Sequence, residues 1–213
     1  MRRWLLLLFW LLPALPGQAN EPLRLQRAPA GEDGIDVIVT QRTRYERLWQ
    51  QFRAGAVGAD HALAMRTGVA AEARFAPLAI GLEVVDARQY LADGTPPVDT
   101  SQVNPLDVLQ AYVGLTVADA FMDKDTARLR AGRMTLDLGG RRLIARNRFR
   151  NTINSFTGID AQWQSPAGDA IRAFGVVPVG RRPDDPDALR DNALAFDHEQ
   201  FGTFLLGVSA AAR

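Results

Sequence analysis

The sequence predicts an all-β fold: an antiparallel transmembrane β-barrel, of which about eight strands lie in this chain as part of a larger barrel. Three observations carry that expectation. Apolar and polar residues alternate with period two along several segments, the pattern of a half-buried strand. The connections between those segments alternate long and short, as they do in outer-membrane barrels. The row opposite the apolar one is charged, whereas a soluble barrel turns its apolar row inward. A sheet packed on a partner would show the same alternation, so the pattern is weighed with the connections.

Arg2 and Arg3 are followed by the apolar run Trp4 to Leu12. Pro13 and Pro16 break that run, and Gly17 and Ala19 place small residues before a cut after Ala19. Residues 1–19 are therefore read as a signal peptide and residues 20–35 as a periplasmic lead-in. The run is too short for a membrane-spanning helix, which needs about 20 apolar residues. No later stretch is long and apolar enough either, so a mature chain that enters a membrane must do so as a barrel, over residues 36–213.

From Asp36 to Trp49, Ile38, Thr40, Arg42, Arg44 and Glu46 form one row, and Val37, Val39, Gln41, Thr43, Tyr45 and Trp49 the other. From His61 to Phe75, Leu63, Met65, Thr67, Val69, Ala71, Ala73 and Phe75 face Ala64, Arg66, Gly68, Ala70, Glu72 and Arg74. Leu78, Ile80, Leu82 and Val84 continue the apolar row after a turn at Ala76-Pro77. Further segments follow at Asp107–Val117, Thr126–Leu138, Phe156–Gln164, Ala170–Val179 and Phe201–Ser209. Leu109, Ala111, Val113 and Leu115 are expected on one face, as are Ile159, Ala161 and Trp163. The connections 50–60, 91–106, 139–155 and 180–200 are long, and those at 76–77, 118–125 and 165–169 are shorter. With a periplasmic N-terminus, every long loop falls outside the cell. Tyr45, Trp49, Phe75, Tyr90, Phe156, Trp163 and Phe201, near strand ends, suit interfacial girdles, although core packing explains any one of them alone.

Composition sets further bounds. Hydrophobic residues make up 47 % of the 213, enough for a folded core. The formal net charge of +1 argues against nucleic acid as a partner. The absence of cysteine excludes disulfides, thiolate catalysis and Cys-based metal sites. Lys124 is the sole lysine; the remaining basic residues are arginine, which GC-rich codon usage or carboxylate recognition would each produce. Position separates these readings better than composition. Residues 128–150 hold eight arginines against Asp137, a local charge of +7, while residues 83–125 carry −6.

The block Gly132-Arg133-Met134 with Leu136 and Leu138, then Gly139-Gly140-Arg141-Arg142-Leu143-Ile144, Asn147-Arg148-Phe149-Arg150-Asn151-Thr152 and Ser155-Phe156-Thr157-Gly158, resembles the alginate-export family of outer-membrane porins. The strand Arg42-Thr43-Arg44-Tyr45-Glu46 and the segment His61 to Thr67 are similar to it as well. The resemblance spans residues 36–164. It implies a large barrel passing acidic polysaccharide, or smaller anions, down an arginine-lined lumen. It places Arg133, Arg142, Arg146, Arg148 and Arg150 on or near an inward-folding loop, and Arg42, Arg44, Arg66 and Arg74 on the wall. Met134 and Gly140-Arg141 depart from the family pattern and leave the solute open. The chain has about half the length that such a barrel calls for, so it reads as the N-terminal part of the barrel or a truncated product.

His61 and His198 lie far apart and outside metal-ligand spacing. No serine sits in a Gly-x-Ser-x-Gly elbow, and no phosphate loop is present. Asp184-Asp185-Pro186-Asp187 reads as a solvated loop before it reads as a calcium ligand set. The expectation is a non-enzymatic, cofactor-free outer-membrane conduit for anionic solutes or acidic polysaccharide. Its partners would be outer-membrane lipid, lipopolysaccharide and the barrel-assembly machinery. The alternative is a structural or small closed barrel without conductance.

Overall fold

The computed structural model describes residues 23–27, 33–49, 59–92, 98–139, 144–147 and 149–212. The leader reading, the side chain of Trp49, and Arg141, Arg142 and Arg148 lie outside the described residues. The described chain is one antiparallel meander with strands β1 (Leu23–Gln26), β2 (Gly34–Trp49), β3 (Ala59–Phe75), β4 (Leu78–Tyr90) and β5 (Asn104–Ala118). It continues through β6 (Thr126–Met134), β7 (Phe156–Gln164), β8 (Ala170–Gly180), helix α1 (Pro186–Arg190), β9 (His198–Glu199) and β10 (Leu205–Ala211). Strands β1 to β8 pair in sequence order, β10 pairs with β8, and the two-residue β9 also pairs with β8. The path ends at β1 and β10 as an open sheet. Ten strands thus stand where about eight were expected. The additions are short: β1 lies inside the stretch read as a lead-in, and β9 has no room for a period.

Period two holds along the strands. Val69, Leu78, Ile80, Leu82, Val113, Leu129, Ile159 and Ile171 are all exposed on one face. The register aligns them across the sheet, for example Leu78 with Leu115 and Ile80 with Val113. The opposite, inner row carries Arg42, Arg44, Arg66, Glu72, Glu83, Arg130 and Asp160. Such a row of charges belongs on the wet side of a barrel wall and not in lipid.

Two expectations about facing need correction. Leu109 does not join Ala111, Val113 and Leu115. The ladder slips between Glu83 and Val84, so that Glu83 opposes Gln110 and Val84 opposes Val108. This bulge turns Leu109 inward, where it packs with Val85 and Ile153. Phe156 is not an interfacial girdle residue. It falls on the inner row of β7, opposite Met134, and joins a core with Met134, Leu136 and Val176. Phe75, Tyr45, Tyr90 and Phe201 are exposed.

The turns 76–77, 119–125 and 165–169 lie at one end of the sheet, and the connections 91–103, 135–155 and 181–204 at the other. The long ones fold on one another and on the strand ends. Thr152 N–H donates to Ser101 O at 3.1 Å between two connections, Val179 N–H on β8 to Ser155 O at 3.1 Å, and Asn192 Nδ2 to Gln89 O on β4 at 3.0 Å. Val98, Val103 and Leu189 pack between them. Asp185 caps α1 by accepting from the Asp187 and Ala188 N–H groups, which gives this acidic stretch a structural role. Among the described residues no helix is long and apolar enough to cross a membrane.

Candidate functional site

The connection 135–155 leaves β6 and crosses the inner face of the sheet toward β2. Thr135 N–H donates to Gln110 Oε1 on β5 at 3.0 Å. Leu138 N–H donates to Ile144 O at 3.1 Å. Arg146 N–H then donates to Asp137 Oδ1 at 2.7 Å, and the Arg146 guanidinium grips Glu83 on β4, with Nη1 at 2.8 Å from Oε2. Asn147 Oδ1 accepts from the Phe149 and Arg150 N–H groups, each at 3.1 Å, which bends the chain there. The Asn151 amide nitrogen lies within hydrogen-bond reach of the carbonyls of Met65 (3.1 Å), Arg88 (3.1 Å) and Gln102 (2.8 Å). Ile153 seats the segment on Val85 and Leu109.

The wall arginines meet this loop through its backbone. Arg42 Nη2 donates to Phe149 O at 3.2 Å and Arg150 O at 2.9 Å. Arg44 Nη1 donates to Phe149 O at 2.8 Å, and its guanidinium stands 5.3 Å from the Phe149 ring centroid. Arg66 Nη1 donates to Arg150 O at 3.2 Å and Asn151 O at 3.3 Å. Arg66 also lies within electrostatic range of Arg42, Arg44, Arg146 and Glu83. The guanidiniums of residues 42, 44, 66 and 146 thus lie near one another, with Glu46 at 2.8 Å from Arg44 and Glu83 bound to Arg146. A carbonyl oxygen satisfies a guanidinium N–H but cancels none of its charge.

The other arginines expected at the site are placed differently. Arg74 lies toward the short-turn end, bridged to Asp36 at 2.8 Å and Glu72 at 3.2 Å. Arg133 is held by Glu199 at 2.9 Å, Asp107 at 3.4 Å and the Val108 carbonyl at 3.0 Å. The Arg133 guanidinium holds Glu199 below the usual carboxylate range. Arg150 is exposed and is used through its carbonyl. The acidic block of residues 83–125 and the basic block of residues 128–150 thus interleave in space at Arg133–Asp107 and Arg146–Glu83.

Residues not anticipated complete the inner face. Asp160, with no exposed side-chain surface, accepts from Arg130 Nη2 at 2.7 Å, Arg172 Nε at 2.6 Å and Gln162 Nε2 at 2.8 Å. Arg172 also reaches the carbonyl of Asp137, tying β8 to the loop at 2.7 Å. Arg181 donates to Asn154 Oδ1 at 2.6 Å; burial holds its guanidinium below the usual range, against the pull of Asp197. No short motif marks Arg130, Asp160 and Arg172; the strand register brings them together.

Outward alternation on one face, charge on the other and a loop folded across the charged face are the parts of an outer-membrane barrel wall. The model of the family described as alginate export matches residues 35–200. The chain belongs to the alginate-export family. Searches of curated proteins and of solved structures returned no match. This alginate-export family chain is accordingly an outer-membrane transport protein of a non-enzymatic family, and its all-β antiparallel sheet agrees with that membership.

Proposed function

We propose that the chain forms the wall and inward-folded loop of an export channel selective for anions, with acidic polysaccharide as the substrate class. One observation carries this reading: at the loop crossing, Arg66 donates to neutral carbonyls and stands within electrostatic range of three further guanidiniums, those of Arg42, Arg44 and Arg146, and of Glu83. The site therefore keeps positive potential where the lumen is narrowed, and guanidinium is the side chain best matched to a uronate carboxylate. Arg42, Arg44, Arg66, Arg146 and Arg150 are the proposed solute-facing charges. Arg74 and Arg133, each bridged to two carboxylates, contribute less to the field. The exposed apolar row would face lipid, with the long-loop end toward lipopolysaccharide; residues 1–19 would direct export, and the barrel-assembly machinery would insert the strands.

Permeation into proteoliposomes tests the reading. Oligouronates should enter faster than neutral oligosaccharides of equal size, and Arg66→Gln, which keeps hydrogen-bond donors but loses the charge, should narrow the difference. Equal rates for both sugars would remove the anion preference. Absence of permeation by either would favour a closed, structural barrel.

A further inference from the structure

The connection 135–155 carries one aromatic residue, Phe149. It stands where the loop reaches β2, on the wet inner face of the sheet, and it is 79 % exposed. The exposed apolar side chains of the strands lie on the outward row, which lipid would cover. Lipid does not reach the inner face, so this ring is left against water.

A single exposed apolar residue means little by itself, but this one is also held in place. The Phe149 N–H donates to Asn147 Oδ1 at 3.1 Å. Its carbonyl accepts from Arg42 Nη2 at 3.2 Å and Arg44 Nη1 at 2.8 Å. Arg44 is fixed in turn by Glu46 at 2.8 Å, and its guanidinium supports the ring at 5.3 Å from the centroid. Backbone and ring are thus positioned before anything binds, which lowers the ordering cost of an occupant.

The surroundings of the ring say what would cover it. Arg42 and Arg44 meet it directly, Arg66 and Arg146 lie near them, and Arg150, the next residue but one to the masking-free Asn147–Phe149 bend, is exposed. An occupant must therefore offer an apolar face to the phenyl ring and negative charge to the guanidiniums. A hydrocarbon chain lacks the charge, and a small inorganic anion lacks the face. The pyranose ring of a uronate has both: C–H groups with partly positive hydrogens meet the negative face of the aromatic ring, and its carboxylate matches the guanidinium fork.

We propose that Phe149 is a stacking platform for a pyranose ring at the loop crossing, by which the lumen distinguishes oligouronates from open-chain anions of equal charge. This rests on the reading of the lumen as an anion-export channel and adds the sugar ring to what is recognised.

The test is isothermal titration of the full chain in detergent with a short oligouronate and, separately, with a linear aldarate, which has carboxylates and hydroxyls but no pyranose face. The oligouronate should bind more tightly. Phe149→Ala should weaken oligouronate binding about two- to tenfold and leave aldarate binding as it is. The clamp on residue 149 uses its carbonyl, so this variant should fold. Phe149→Trp should restore the affinity, Arg66→Gln should weaken both ligands, and Phe75→Ala, on the outward row, should change neither. Oligouronate affinity indifferent to Phe149→Ala, an equal loss for the aldarate, or no binding by the wild type would overturn the proposal. The reversal potential in a salt gradient separates the two claims. Anion preference with binding indifferent to residue 149 overturns the platform alone; residue-149-dependent binding without anion preference upholds the platform and removes the selectivity.

Discussion

Replacing Asp160 by alanine should be among the most damaging single changes in the sheet. Its carboxylate has no solvent exposure and accepts three hydrogen bonds, two of them from the guanidiniums of Arg130 and Arg172. Those two side chains retain 28 % and 17 % of their exposure, so water recovers part of the loss once the carboxylate is gone. Breaking a buried ion pair by removing one partner costs about 3–5 kcal/mol, and the partial exposure of the arginines places this case near 3 kcal/mol. By contrast, Arg74, 30 % exposed and bridged near the short-turn end, should cost about 0–1 kcal/mol as alanine. Asp160→Asn, which keeps one acceptor oxygen, should fall between. Denaturant unfolding in detergent, followed by heat-modifiable gel migration, measures each. In the Asp160→Ala background, Arg172→Ala should cost far less than it does alone, because its partner is already gone. A loss for Asp160→Ala no larger than that for Arg74→Ala would refute the view that the inner-face network holds β6, β7 and β8 together.

Other expectations follow from single contacts. Gly81 lies beneath the Tyr112 ring, whose hydroxyl donates to Glu72 at 2.6 Å; Gly81→Ala should displace that ring and cost about 1–3 kcal/mol in unfolding titrations, and much less in a Tyr112→Ala background. Asn151→Ala should cost about 1–3 kcal/mol and expose the segment near residue 150 to protease while strand amides stay protected from exchange. Burial would raise Asp125, but donors from Trp163 Nε1 and the Ala120, Phe121 and Met122 N–H groups outweigh it and hold the carboxyl below its ordinary range. A depressed folded value means the stabilisation is present above about pH 4 and is lost as the pH falls through that folded value. Asp125→Ala should therefore destabilise the turn at pH 7 and make little difference at the acid end, as read by amide exchange of residues 119–125.

The alternation of residues 37–47 and 61–75 was legible because long strands with one wet face repeat their pattern many times. The four-residue β1 and two-residue β9 offer too few repeats to distinguish from loop. Leu109 misled because a one-residue bulge reverses facing without changing composition. The arginines were visible, but their partners were not. Asp160 with Arg130 and Arg172 is a match across three strands, readable only once the register is known. The clamp of Arg42, Arg44 and Arg66 on the loop uses backbone carbonyls, which every residue carries and no sequence pattern marks.

The proposed channel depends on net positive charge at the loop crossing. The reversal potential of the full chain in planar bilayers, under a potassium chloride gradient, tests it most directly. The potential should be anion-selective, shift toward cation selectivity in Arg66→Glu and Arg150→Glu, and stay unchanged in Arg74→Ala. A cation-selective wild type, or a potential indifferent to residues 66 and 150, would contradict it.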